Sequence, residues 1–307
     1  MLENVTRGKQ TAPHLLRLSG PDGIGKSTFG AAAPNAIFLG PEKGTMNLDV
    51  TRFPSPNNWE DIRIATKELA ESNHKYQTLV VDTLDWLEPL LYDKICRASQ
   101  CTSIEKAAGG YGKGYREAFN EMLAFRQDLS FLREHKNMNI ILLAHSKVIN
   151  FEDPTADAGY GRYELKLQDS ASVSMRAMWR EYVDAVLFCN FQTFSKGEGK
   201  AARGVSMRER KMWTERDAGF DAKNRFGLPF EMNLDYAEYN NAVYNCDQPV
   251  EDIETVRSRI IEFTKKAQLD VDLTKKVMES VEKAKDNIPQ LYKIEKRLQT
   301  KIGELHG

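Results

Sequence analysis

The sequence predicts an α/β protein built on a mainly parallel, doubly wound sheet, followed by a small helical appendage. Three observations carry that expectation. Short continuous apolar runs alternate with stretches of helical periodicity, the order that lays parallel strands in the middle and helices on both faces. A glycine-rich turn, GPDGIGKST at 20–28, stands between the first apolar run and the first helix. Beyond residue 250 the composition shifts to charge-rich helical segments with no glycine before Gly303. The 307 residues thus divide into an arm at 1–14, a core at 15–248 and a helical segment at 249–307.

Taken in order, residues 15–19 (LLRLS) predict the first strand and 36–39 (AIFL) the second. The third is 78–82 (TLVVD), the fourth 139–144 (NIILLA) and the fifth 183–190 (VDAVLFCN). All are too continuously apolar for half-exposed strands. Helices are predicted at 59–72, 84–98 and 115–134, the last with Phe119, Met122, Leu123, Leu129 and Leu132 at helical spacing. Two segments, 109–114 (GGYGKG) and 150–168, read as loops too long to be mere connectors. The C-terminal helices are expected at 250–268, 271–285 and 288–305, where interspersed Lys and Glu suit a solvated face or a partner-binding module.

Composition excludes several classes. Lys and Arg number 43 against 44 Asp and Glu, so a nucleic-acid surface has to be a local patch. Four scattered cysteines, Cys96, Cys101, Cys189 and Cys246, make neither a disulfide scaffold nor a zinc-ligand pattern. The apolar runs are too short to cross a bilayer, and the first residues lack the apolar stretch of a secretory signal. The expectation is a cytoplasmic chain with no membrane association.

Residues 20–27 satisfy G-x-x-x-x-G-K-[ST] in the strand-to-helix setting that the chemistry needs. Gly20, Pro21, Asp22, Gly23, Ile24, Gly25, Lys26, Ser27 and Thr28 are the expected nucleotide-binding residues. Backbone N–H groups turn inward around phosphate oxygens, and the helix N-terminus adds partial positive charge. Lys26 reaches the β- and γ-phosphates, and Ser27 holds magnesium. Asp82, at the end of TLVVD, is the expected magnesium carboxylate, acting directly or through water, unless it is a strand-end Asp that caps a helix. Residue 83 is Thr, so no glutamate directly follows to act as base. Glu42 is the candidate base because it follows the second strand and emerges at the same carboxyl edge as Asp82; the alternative is a solvated turn residue before Gly44. His145 follows the fourth strand, where a neutral imidazole can donate to the γ-phosphate, unless it is a histidine bonded to backbone. No N-K-x-D guanine-reading segment occurs.

GPDGIGKST after a strand, PEKG after the second, VVDTLD, GGYGKGY, and LLAHSKV followed by FEDP together resemble the RecA-like, core-only ATPases of bacteriophages, a group that includes single-strand annealing proteins. The resemblance covers roughly 15–234. It implies a RecA-like P-loop NTPase core that uses ATP and Mg2+, with Glu42 as catalytic base and His145 in the place of a γ-phosphate sensor. It also sets Lys223 and Arg225, in AKNRFGLPFE, at positions resembling cations that reach a neighbouring subunit's γ-phosphate. Two loops, 109–116 and 150–168, would face single-stranded DNA. There Tyr111 and Tyr115 would stack on bases while Lys113, Arg116, Arg162 and Lys166 meet phosphates, although Glu152, Asp153, Asp157 and Glu164 dilute the second loop. The function implied is an ATP-dependent, single-stranded-DNA-binding recombination protein, active as a homo-oligomeric ring or filament, with a single-strand-binding protein as a further partner. Two alternatives stay open: a nucleotide-gated loader or assembly ATPase of phage replication or packaging, and a small-molecule kinase, for which no arginine-bearing lid is evident.

Overall fold

A strand buried on both faces needs apolar side chains in both directions, and the five continuous runs form such strands. The computed structural model describes residues 7, 12–152, 158–196, 203–245, 253–266, 271–284, 294 and 298. They fall into two units, divided after Tyr244.

The first unit begins with β1 (Leu15–Gly20), α1 (Lys26–Ala31), β2 (Ala36–Leu39), the short edge strand β3 (Thr51–Arg52), α2 (Trp59–Glu71) and β4 (Thr78–Val81). It continues through α3 (Leu84–Ala98), α4 (Lys113–His135), β5 (Asn139–Phe151), β6 (Tyr160–Leu165) and α5 (Met175–Tyr182). β7 (Ala185–Lys196), β8 (Arg203–Trp213), β9 (Glu231–Asn233) and α6 (Tyr236–Asn245) close it. The sheet order is β3-β2-β4-β5-β1-β7-β8-β9, with β6 paired to β5. From β3 to β7 the neighbours are parallel, and β8 and β9 are antiparallel. β5 separates β1 from β4, so the strand ends that carry the glycine turn and Asp82 flank the point where β5 delivers His145.

Alternate residues of each strand face opposite layers. Leu15, Leu79, Val81, Ile140 and Leu142 pack with Trp59, Phe125 and Trp179 under α2, α3, α4 and α5. Leu16, Leu18, Val80, Ile141 and Leu143 pack with Phe29 and Tyr239 under α1 and α6. Each such side chain contributes about 1.5–3 kcal/mol on burial. α2 starts where Asn58 accepts from the Asp61 amide at 2.9 Å, with Glu60 and Asp61 in its first turn suiting the helix dipole. Ser174 caps α5 by accepting from the Ala177 amide at 3.0 Å.

Two expectations are corrected here. The presumed loop at 150–168 is in large part a hairpin: β5 runs on past Ala144 to Phe151, and β6 pairs back onto it from Ser146↔Leu165 to Phe151↔Tyr160. Its alternating half-exposed pattern, with Val148 out and Leu165 in, is a strand signal that its glycines and Pro154 obscure. Residues 153–157, with Asp153 and Asp157, lie outside the described residues. Similarly, β8 was not expected, because it is charged and pairs only at the antiparallel margin of the sheet.

The second unit contains α7 (Ile253–Lys266) and α8 (Val271–Ala284), with Ile260, Val281 and Leu298 clustered. Thr264 donates its hydroxyl to the Ile260 carbonyl at 2.7 Å. Apart from residues 294 and 298, the helix expected at 288–305 lies outside the described residues, as does most of the arm at 1–14.

Candidate functional site

β1 ends at Gly20, where a Cβ would collide with the Cys189 carbonyl oxygen of β7. The chain then turns through Gly23 (φ 69°) and Gly25 (φ 111°), left-handed positions that favour glycine, and enters α1. Lys26 is buried, and its Nζ donates to the carbonyls of Pro21 at 2.9 Å and Gly20 at 3.2 Å. Burial pulls its pKa below the ordinary lysine value. The loop carbonyls therefore hold the ammonium in the position from which it can turn to a phosphate.

Ser27 donates its hydroxyl to Asp82 Oδ2 at 2.8 Å, tying the glycine turn to the end of β4. Asp82 is buried, and its Oδ1 has no hydrogen-bond partner. Burial pushes its carboxyl up to about 6, and the nearby Glu42 charge pushes the same way, while the Ser27 hydrogen bond opposes both. Glu42 arrives through Gly40, where a Cβ would collide with the Asp82 carbonyl and where the Asp82 amide donates to Leu39 O at 2.9 Å. Glu42 Oε2 is likewise buried without a partner. The unpartnered Asp82 oxygen beside the Ser27 hydroxyl offers hard oxygen donors, which fit Mg2+.

His145 pairs in register with Gly20. Its Nε2 lies 3.2 Å from Asp22 Oδ1 and 3.9 Å from Glu42 Oε1. Its Nδ1 meets Asp85 Oδ2 at 2.9 Å, and its amide donates to Asp85 Oδ1 at 2.9 Å. The Asp85 hydrogen bond raises the imidazole above its ordinary value, outweighing burial and the Lys26 charge. Burial alone would raise Asp85, but the two bonds from His145 hold it below the usual carboxylate value. The ring expected to be neutral is thus biased toward its charged form.

The structure therefore brings Lys26, Ser27, Glu42, Asp82 and His145 to one edge of the sheet. It adds two residues that the sequence did not single out. Asp85, in the first turn of α3, was visible in VVDTLD but not as a partner of His145. Arg210, on β8, holds a guanidinium nitrogen 3.0 Å from the point where a Cβ on Gly25 would stand, and no local pattern announces that approach.

Other expected residues lie apart. Lys223 pairs through its backbone with Val186 near the start of β7, and burial lowers its pKa. Arg225 is exposed and donates to Asp184 Oδ1 at 3.2 Å. Both stand toward the edge opposite the glycine turn. Tyr111 is fully exposed, and Lys113, Arg116 and Lys166 are also exposed. Tyr115 is half-buried, with its hydroxyl on Glu105 at 2.8 Å. Arg162 is 3% exposed, bonded to Glu164 at 2.9 Å and stacked over Phe151 at 4.8 Å, so it does not face solvent to meet a phosphate. No helix among the described residues is long and apolar enough to cross a membrane.

Comparison with known proteins adds a family. A model described as an AAA domain matches residues 15–226, more than half of the chain. The crystal structure of the RadB recombinase superposes with a TM-score of 0.37 at 14% identity, covering 67% of this chain and 82% of that one. That likeness is too slight to bear on function. No curated protein matches the chain. The sheet order and the glycine turn agree with the family match in giving the expected α/β P-loop NTPase core with a mainly parallel sheet, and the chain belongs to the AAA-domain family of P-loop ATPases.

Proposed function

We propose that this chain is a Mg2+-dependent ATPase whose nucleotide state governs homo-oligomeric assembly on single-stranded DNA, as in the phage annealing ATPases that its motifs resemble. The observation that carries the proposal is the continuity of β5. One strand starts between the phosphate-loop strand and the Asp82 strand, places His145 beside Glu42 and Asp22, and runs on without a break into the hairpin with β6.

In the proposed mechanism, Lys26 exchanges the Gly20 and Pro21 carbonyls for the β- and γ-phosphates. Ser27 and Asp82 hold Mg2+, which supplies charge neutralisation across the phosphates. Glu42 takes the proton of the attacking water as its oxygen bonds to the γ-phosphorus and the bond to the ADP oxygen breaks. His145 donates from Nε2 to the γ-phosphate and loses that partner when phosphate departs, so the strand it begins feels the change. Lys223 and Arg225 are too far along the sheet to serve this chain's own loop, and in the proposal they serve a neighbouring copy. Tyr111, Lys113, Arg116 and Lys166 are the exposed candidates for strand contact.

The test is anisotropy of labelled single-stranded DNA with and without ATP, run beside ATP turnover. Affinity should depend on ATP and turnover on DNA. Glu42→Gln should cut turnover about 10²- to 10⁴-fold while sparing nucleotide binding. If DNA leaves turnover unchanged and ATP leaves DNA affinity unchanged, the recombination reading fails and a loader or assembly ATPase takes its place.

A further inference from the structure

A second polar cavity lies away from the phosphate loop, between the β5–β6 hairpin and α5, with a volume of about 370 Å3. Arg17 projects into it from the middle of β1. Arg17 is 3% exposed, its Nε has no hydrogen-bond partner, and burial pulls its pKa down to about 10. A buried, unpaired guanidinium is costly, because its water has been removed and nothing replaces it.

Asp221 and Glu164 act on Arg17 through their charge, but among the described residues neither makes an ion pair or hydrogen bond with it. Arg162 is taken by Glu164 at 2.9 Å, Arg176 by Asp169 at 3.3 Å, and Arg180 by Asp221 at 3.8 Å. Asp221 also lies 3.9 Å from Arg162, so three carboxylates are shared among four arginines and the cluster carries one surplus positive charge. Arg162 Nη1 is also buried without a hydrogen-bond partner. Ile149, Phe151 and Leu165 add an apolar wall, and the volume exceeds what a lone oxyanion fills.

We infer that this cavity is a second ligand site, which takes the phosphate of a nucleotide on Arg17 with Arg176 and Arg180 at its margin, the sugar and base lying along Ile149 and Phe151. A planar guanidinium suits a phosphate because two parallel N–H groups can meet two oxygens. The nucleotide is either free or one unit of a strand. Only the strand source rests on the DNA-binding function proposed above.

The experiment is thermal unfolding of the full chain under saturating ADP, which keeps the phosphate loop filled, with dTMP, inorganic phosphate, thymidine or oligothymidylate added. Wild type should gain about 4 °C at a hundredfold excess of dTMP over its Kd and nothing from thymidine. A response to oligothymidylate without one to dTMP assigns the strand source, and the reverse assigns the free nucleotide even if DNA binding is absent. Arg17→Met should lose the response, melt no lower than wild type without ligand, and keep its ADP affinity. Should Arg17→Met not fold, Arg180→Gln, at the half-exposed rim, should weaken the dTMP response at least tenfold. The inference is overturned if no phosphate-bearing probe shifts wild type, if the variant that folds responds as wild type does, or if Arg17→Met folds but melts below wild type without ligand.

Discussion

Asp82 is held in a place that suits a cation and not an empty site. Its carboxyl is pushed from 3.8 to about 6, so the unfolded chain gives up this proton at a lower pH than the folded one does. Its contribution to ligand-free stability is therefore fully present below pH 3.8 and lost as pH rises through 6. At neutral pH the loss is on the order of 3 kcal/mol. Asp82→Asn should raise the melting temperature of the nucleotide-free protein at pH 7, flatten its dependence between pH 4 and 7, and abolish Mg2+-dependent ATP binding, as calorimetry at several pH values would show. His145 gives a pH dependence of the same sign, since its folded value is raised as well. Its pairing with Asp85 contributes stability below pH 6.5 that is lost as pH rises through the raised value. Asp85→Asn should return the imidazole toward its ordinary value, visible by NMR titration, and move the alkaline limb of the turnover profile to lower pH.

Among the elements, β2 and β4 are held close by an absence. Gly40 has no side chain, so the turn carrying Glu42 can lie against the Asp82 carbonyl. Gly40→Ala should destabilise the fold by roughly 1–3 kcal/mol in urea unfolding and reduce turnover, because the displaced backbone carries both carboxylates. The parallel strands and the phosphate loop were legible in the sequence because burial on both faces leaves a continuous apolar record and because the loop's groups are contiguous. The hairpin was not, since β6 is half-exposed and lies among glycines. Arg210 and the Asp85–His145 pair were hidden for another reason: each forms only when separate strands and helix ends meet. Arg17 in LLRLS was in plain view, yet its isolation emerges only once the neighbouring carboxylates are seen to be taken by other arginines.

For the whole molecule, the proposed assembly makes a complementation test. Arg225→Ala retains its phosphate loop and Lys26→Ala retains its Arg225, so each alone should turn over little ATP. Mixed, they should recover activity well above the sum of the two, measured as phosphate release against mixing ratio. No recovery would mean that Arg225 serves only its ion pair with Asp184.

The separation of these cations from the phosphate loop, at opposite margins of one sheet, gives any such assembly a direction. Each junction joins unlike surfaces, so the array is head-to-tail: it closes into a ring where the rotation between copies allows, and otherwise it is a filament with two different termini. In a filament one terminal copy offers its cations to nothing and the other holds a nucleotide that no neighbour assists, whereas in a ring every nucleotide is assisted. Hydrolysis per copy then grows with filament length or is uniform around a closed ring, and dilution suppresses it more steeply than protein concentration alone.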